Sequence, residues 1–259
     1  MTHPSTVSSM SGRVALVTGA ARGIGLSTVR LLSEQGVRIA AFDLPGSDWA
    51  DVTQATDAST LLIEGDVSEP SDWERCMSQT LAQFSQLDIL VNNAGISGPI
   101  CPLTDYDDDM FDKVMRVNAK GVFLGLKHGA RAMGTRGGSI VNVSSVSGIG
   151  GGRFTIGYTA SKHAVVGMTK LGSTELASKN IRVNAVCPSP TSTEMVFAME
   201  RTLSPSDPDA IRHAMTRMVP LGRYGEPSEI AAVIVFMASD AASFMTGAVV
   251  PVDGGLKAA

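Results

Sequence analysis

Short apolar runs rich in β-branched residues alternate along this chain with longer segments of helical spacing. That alternation restricts the fold more than any other feature. The runs are residues 13–18 (RVALVT), 37–42 (VRIAAF), 60–63, 87–91 (LDILV), 139–143 (SIVNV), 181–186 (IRVNAV) and 248–252 (AVVPV). Nearly every position in them is apolar, as in strands covered on both faces. Between them, segments 24–35, 72–84, 110–133, 158–177 and 226–238 gather apolar residues on one helical face; in the first, Ile24, Val29, Leu31 and Leu32 lie together. Four- to seven-residue strands separated by helices specify βαβ units, so the expectation is an α/β domain with seven parallel strands, doubly wound, with helices on both faces.

No Pro/Ser-rich linker and no internal repeat divides the chain. The reading is one domain over 12–259, preceded by a polar, flexible tail at 1–11. Residues 191–219 break the rhythm: no strand pattern occurs there, and Met195, Phe197, Met199, Met215 and Met218 are scattered among polar residues. Long excursions in compact domains serve as lids or binding loops, and this one reads as two short helices over a substrate.

Composition narrows the partners. Only 18% of residues are charged and the net charge is −4, against roughly 25% charged in an average domain. Such a chain lacks the clustered Lys/Arg that nucleic-acid binding requires. No apolar run of about 18 residues is present to span a membrane, and the tail lacks a secretory pattern. Cys76, Cys101 and Cys187 are far apart and form no C-x-x-C pair, which predicts reduced thiols in a cytoplasmic protein and no structural zinc. No histidine pair has ligand spacing, so no metal is expected, and His128, His163 and His213 read as structural or exposed.

The first run leads into Thr18-Gly19-Ala20-Ala21-Arg22-Gly23-Ile24-Gly25. A strand, a glycine turn and a helix start form a phosphate cradle, because glycine admits close backbone approach and the helix N-terminus offers free N–H groups. The G-x-x-x-G-x-G spacing differs from the common G-x-G-x-x-G, and an ordinary tight turn has a similar look. Asp43 strengthens the dinucleotide reading. It ends the second run, eighteen residues after Gly25, where a carboxylate accepts hydrogen bonds from an adenosine ribose. Its charge would repel a 2′-phosphate and so favours NAD over NADP; Arg22 in the loop is the counter-argument. Further on, Tyr158 and Lys162 are one helical turn apart on one face. An ammonium there favours the phenolate and makes tyrosine an acid/base near neutrality.

Taken with Asn92-Asn93-Ala94-Gly95 after the fourth run and Ser145 after the fifth, the sequence resembles the short-chain dehydrogenase/reductase family, in its single-domain branch of about 250 residues. The resemblance extends from Gly12 to Gly255. It implies a Rossmann-like fold, an NAD cofactor and a homotetramer with interfaces at 110–133, at 158–177 and at the last strand. It implies that Tyr158 transfers the proton, that Lys162 holds the nicotinamide ribose and lowers the tyrosine, and that Ser145, thirteen residues before Tyr158, binds the substrate oxygen, with Ser144 as the alternative. Asn118 matches an asparagine supporting a proton relay. Asp66 and Val67 match the pair beside the adenine, Asn93 a residue at the adenosine ribose, and Thr193 the threonine bonding the carboxamide. Gly19, Arg22, Gly23, Ile24 and Gly25, then Leu44 beside Asp43, Ala94 and Gly95 beside Asn93, and Pro188 and Thr191 complete the expected cofactor site. One departure stands out: Pro188-Ser189-Pro190 replaces the family's usual Pro-Gly, placing a stricter backbone where glycine permits close approach.

The walls expected around the substrate, 96–102, 146–154 and the Met-rich 191–219 excursion, are largely apolar or small, and Arg153 is the one cation of the loops 96–102 and 146–154. An apolar pocket favours a hydrophobic, possibly cyclic, secondary alcohol or ketone. The alternatives are a 3-oxoacyl-type reductase of the same family and a catalytically silent dinucleotide-binding protein.

Overall fold

The computed structural model describes residues 10–258. In chain order the main elements are β1 (Val14–Thr18), α1 (Gly23–Glu34), β2 (Arg38–Asp43), α2 (Ala50–Ala55), β3 (Leu61–Glu64), α3 (Pro70–Phe84), β4 (Ile89–Asn92), α4 (Asp108–Met115), α5 (Gly121–Met133), β5 (Gly138–Val143), α6 (Ile156–Glu175), β6 (Ile181–Pro188), α7 (Glu194–Leu203), α8 (Pro208–Thr216), α9 (Pro227–Ala238) and β7 (Val249–Val252). The strands form one sheet, parallel at every pairing, in the order β3-β2-β1-β4-β5-β6-β7. The chain winds outward from β1 to β3, then crosses back to β4 on the other side of β1. Ligands of such sheets bind in the crevice at that reversal, beyond the carboxyl ends of the strands.

Strand alternation divides the core in two. Ala15, Val17, Ile39, Ala41, Ile89 and Val91 face one layer, which includes Leu32 of α1, Val52 of α2 and Ile234 of α9. Val14, Leu16, Ala40, Phe42, Leu90 and Ile140 face the other, with Trp73 and Met77 of α3 and Leu124 and Met133 of α5. Each large apolar side chain buried this way contributes roughly 1.5–3 kcal/mol. A polar ladder crosses the second layer: Asn92 donates to Asn142 at 2.8 Å and Asn142 to the Thr169 hydroxyl of α6 at 2.9 Å. Alpha-5 passes so near this ladder that a Cβ on Gly125 would lie 2.1 Å from Asn92 Oδ1.

Local signals set the helix ends. Pro70, Pro208 and Pro227 each open a helix, where the missing N–H costs nothing. Glu226 and Glu229 form a capping box on α9, and Ser85 closes α3 in the left-handed conformation (φ 62°).

Two expectations change. Residues 1–9 of the expected tail lie outside the described residues, but Met10, 1% exposed, packs into the first core layer. The ordered domain therefore begins before Gly12, because an apolar side chain there has a core to fill. Segment 110–133 is not one regular helix: a π-helical turn at Arg116–Lys120 separates α4 from α5, and the Gly121 N–H reaches back to the Arg116 carbonyl. The short helix α2 has too few apolar positions to show in the pattern. Residues 191–219 fold as α7 and α8 with connecting turns.

Candidate active site

The reversal between β1 and β4 is held by one hydroxyl. Thr18 Oγ1, at the end of β1, accepts from the N–H groups of Asn93 and Ala94 just past β4, both at 3.0 Å. Asn93 returns the contact: its amide nitrogen donates to the carbonyls of Thr18 at 2.9 Å and Gly19 at 3.1 Å. The side chain expected at a ribose therefore spends its donors on the glycine turn.

Glycine is required in that turn. Gly19 takes φ 63° and Gly23 φ 57°, and a Cβ on Gly25 would lie 2.0 Å from the Gly19 carbonyl oxygen. Alpha-1 begins here with no side-chain cap and no acidic residue in its first turn. Its first N–H groups and positive dipole end are left for an anion. Arg22 is exposed, while Ile24 packs against the core. Asp43, at the end of β2, is tied to this turn: Oδ2 accepts from the Ala21 N–H at 2.9 Å and Oδ1 from the Leu44 N–H at 2.8 Å. Each oxygen keeps a second acceptor position for a hydroxyl pair. Leu44 beside it is 52% exposed, a flat apolar surface at the mouth of the crevice.

After β3, the Asp66 N–H donates to Asp72 at 2.8 Å and the Asp66 carboxylate accepts from the Ser68 N–H at 2.8 Å. Val67 is buried against Gly121, and its carbonyl accepts from Trp73 Nε1 at 2.8 Å. Across the crevice, Pro188 ends β6 and Thr191 is buried, its hydroxyl donating to the Ser189 carbonyl at 2.9 Å. Thr193 precedes α7, and its methyl would lie 3.4 Å from a Cβ on Gly23, so the loop after β6 closes onto the phosphate cradle. Ser189 causes no strain: among described non-glycine residues only Ser85, Phe154 and Asn180 have positive φ. The missing glycine leaves the backbone in an ordinary conformation. This crevice fits a dinucleotide: a cradle free of side chains, a helix start for phosphate, and a carboxylate at the ribose end.

The polar cluster lies at the ends of β5 and β6. Lys162 is 4% exposed, and its ammonium donates to the Val143 carbonyl at 2.9 Å. It lies 5.6 Å from the centre of the Tyr158 ring. Of the two serines, Ser144 donates to the Lys162 carbonyl at 2.9 Å, whereas the Ser145 side chain lies beside Tyr158. Ser145 also accepts from the Ser147 N–H at 3.1 Å, which fixes its rotamer. Gly95 completes the group: a Cβ there would be 3.1 Å from Asn118 Oδ1 and 3.5 Å from Lys162 Nζ.

Burial acts oppositely on the pair. It pushes Tyr158 above the usual phenol value, with the neighbouring Ser145 hydroxyl opposing it, and it pushes Lys162 down to about 8. Desolvation is the largest influence on the phenol in the chain alone, and the ammonium 5.6 Å from its ring centre supplies an attraction toward the phenolate. A cationic ring bound in the crevice would add to that attraction.

Asn118 is fully buried within the π-helical turn. Its oxygen accepts from the Ile96 N–H at 2.8 Å, and its nitrogen donates to the Ile96 carbonyl at 2.9 Å and to Ser161 Oγ at 3.0 Å. Ser161 in turn donates to the Tyr158 carbonyl at 2.7 Å. Thr18 and Ser161 are positioning groups that the motif reading passed over. Their signals were a threonine just before the glycine turn and a serine one turn after Tyr158.

Beyond the cluster a cavity of about 110 Å³ separates the loop after β4 from α7, lined by Ser97, Gly98, Pro99, Ile100, Ala198, Met199 and Thr202. The neighbouring α7–α8 hairpin is closed by Glu200, 1% exposed, which takes two contacts from Arg212, at 2.7 and 3.3 Å. Arg153 lies outside this group, exposed and 5.5 Å over the Phe154 ring.

The family model described as enoyl-(acyl carrier protein) reductase matches residues 19–257. Levodione reductase of Leifsonia aquatica is 38% identical over 253 residues, covering 95% of each chain. Cis-4-hydroxycyclohexanecarboxylate dehydrogenase of Sinomonas cyclohexanicum is 41% identical over 251 residues, 95% of this chain and 97% of that one. Among solved structures, carveol dehydrogenase from Mycobacterium avium in complex with NAD superposes with a TM-score of 0.90 at 30% identity, covering 97% of this chain and 99% of that one. With its glycine turn, its Ser145–Tyr158–Lys162 cluster and these likenesses over nearly its whole length, the chain belongs to the short-chain dehydrogenase/reductase family of oxidoreductases acting on CH–OH groups.

Proposed function

We propose that the protein is an NAD-dependent dehydrogenase/reductase of a hydrophobic cyclic secondary alcohol and its ketone. The observation that carries this reading is the gathering of Ser145, Tyr158 and a buried lysine, 4% exposed and 5.6 Å from the centre of the Tyr158 ring. Bound nicotinamide supplies the hydride acceptor or donor, and the protein supplies position and one proton. Ser145 Oγ hydrogen-bonds the substrate oxygen. Tyr158 takes the hydroxyl proton in oxidation and returns it in reduction. Lys162, held by the Val143 carbonyl, stabilises the phenolate. Asn118 fixes the loop after β4 and, through Ser161, the helix carrying Tyr158.

The apolar lining of the cavity supports a hydrophobic ring substrate, as do relatives named for levodione, a hydroxycyclohexanecarboxylate and carveol. Asp43 supports NAD, since its carboxylate faces the place a 2′-phosphate would occupy. The description of the matching family model favours an acyl-carrier-linked substrate as a second reading; the uncharged loop 93–104 offers such a carrier no basic contact. Half-exposed Phe123 on α5 and Leu171 on α6, and fully exposed Phe244 before β7, support a homotetramer built on the long helices and the last strand. The free thiols Cys76, Cys101 and Cys187 support a reducing, cytoplasmic setting.

Absorbance at 340 nm with NAD and a panel of cyclic secondary alcohols tests the activity. Turnover of at least one is expected, and silence with every alcohol and ketone would sink the reading. In the same assay Tyr158→Phe should lose about 10²-fold or more in kcat; an active variant overturns the proton role. Asp43→Ser should shift the NADP/NAD ratio of kcat/KM upward by about tenfold or more, and an unchanged ratio would show that Asp43 does not select the cofactor. Light scattering should give four times the chain mass.

Lys162→Met separates stability from activity. Its folded value of about 8 lies below the 10.5 of a free lysine, so the unfolded chain holds the extra proton between these values. The wild type therefore carries its full charge-burial penalty below pH 8, and gains stability as pH rises toward 10.5. Lys162→Met is expected to be inactive, with a Tm at pH 7 no lower than wild type and an advantage that shrinks by pH 9.5. A lower Tm at pH 7 would show that the lysine holds the fold together.

A further inference from the structure

Tyr106, in the loop before α4, is not used by the chemistry above, yet its position is unusual. Its hydroxyl is buried with no hydrogen-bond partner. Leaving such a group unmet costs stability, so stability alone would favour phenylalanine there. The hydroxyl occupies a slot made by two glycines from different elements. A Cβ on Gly98, in the loop after β4, would lie 2.6 Å from it, and a Cβ on Gly157, in the first turn of α6, also 2.6 Å, with the ring edge at 3.1–3.3 Å. Neither glycine could carry a side chain while Tyr106 is in place. Phe111 holds the ring edge to face at 6.5 Å.

Both walls of the slot belong to the site. Gly157 immediately precedes Tyr158. Gly98 lines the cavity facing α7 and is two residues beyond Ile96. Ile96 is joined through Asn118 and Ser161 to the Tyr158 carbonyl. The contacts run in a closed ring: Ile96, Asn118, Ser161, Tyr158, Gly157, Tyr106, Gly98 and back to Ile96. Asn118 braces one side by hydrogen bonds; on the opposite side the phenol end of Tyr106 fills the gap between Gly98 and Gly157, and the Cys101 N–H donates to the Phe154 carbonyl at 3.0 Å further along the same two segments.

We propose that Tyr106 is a positioning residue whose wedged hydroxyl sets the gap between the substrate loop after β4 and the first turn of α6, and so places the Tyr158 phenol against the substrate. The proposal rests on the reading of Tyr158 as the proton-transferring group, which the Tyr158→Phe assay judges separately.

The test is a cycle of Tyr106→Phe, Gly157→Ala and the double variant. Each is assayed for kcat, for KM with NAD and for Tm, with an alcohol the wild type oxidises. Tyr106→Phe should lower kcat about tenfold, the scale of a small misplacement, with KM for NAD unchanged and Tm equal to or above wild type. Gly157→Ala should lower kcat further, since its methyl meets the hydroxyl. The double variant should recover above Gly157→Ala alone, because the methyl then enters the space the hydroxyl left. Wild-type kcat in Tyr106→Phe would overturn the proposal. So would a kcat loss that follows a fall in Tm, which marks a purely structural hydroxyl, and so would independent, multiplying losses in the double variant. If Tyr158→Phe stays active, the reading of Tyr158 fails, whatever the Tyr106 cycle gives.

Discussion

The architecture depends on a hydroxyl at the place where the sheet reverses direction. Parallel winding sends β2 and β3 one way from β1 and β4 to β7 the other, so two loops part at the ends of β1 and β4 and leave a crevice. Backbone groups in such a gap have no strand partner, and buried ones must find one. Thr18 supplies it to Asn93 and Ala94, and Asn93 supplies the reverse bonds to the glycine turn. With that clasp made, the cradle, Asp43 and Gly95 keep fixed places relative to one another. The dinucleotide site is thus a by-product of satisfying a seam in the sheet.

The second constraint is a charge held where water is scarce. Lys162 has one carbonyl partner and almost no exposure. Natural proteins keep such groups where function requires them and offset the cost with packing elsewhere. Here the surrounding sheet is almost wholly apolar on both faces, and the polar ladder of Asn92, Asn142 and Thr169 crosses one of them by pairing side chain to side chain.

Much of this was legible in the sequence. The β-branched runs gave all seven strands to within a residue or two, because strands buried on both faces leave no polar positions to blur the pattern. Gly19, Gly23 and Gly25 marked the cradle, since positive φ and close approach exclude other residues. Spacing favoured Ser145 over Ser144 in the sequence; that the Ser144 hydroxyl turns to the Lys162 carbonyl is a matter of three-dimensional direction. Asn93 shows the same limit: a motif shows which residue is present, not which atoms it has already spent. Tyr106 had no motif at all, because its partners are two glycines, which leave no chemical trace. The dual effect of burial on Tyr158 and Lys162 was likewise hidden, as spacing along a helix says nothing of solvent.

The π-helical turn at Arg116–Lys120 carries a consequence for how this protein can change over time. A turn of i to i+5 bonding holds one residue more than a regular turn, so it rotates everything after it by about a quarter of a revolution. Asn118 faces the site because it lies inside that extra arc, while Phe123, just beyond, faces outward. Loss of a single residue there would give a smoother helix and a better-formed local backbone, yet would turn Asn118 away from Ile96. The irregularity therefore works as a phase marker: the site depends on the length of this segment more strictly than on its composition, because one residue fewer between 116 and 120 would turn Asn118 out of it.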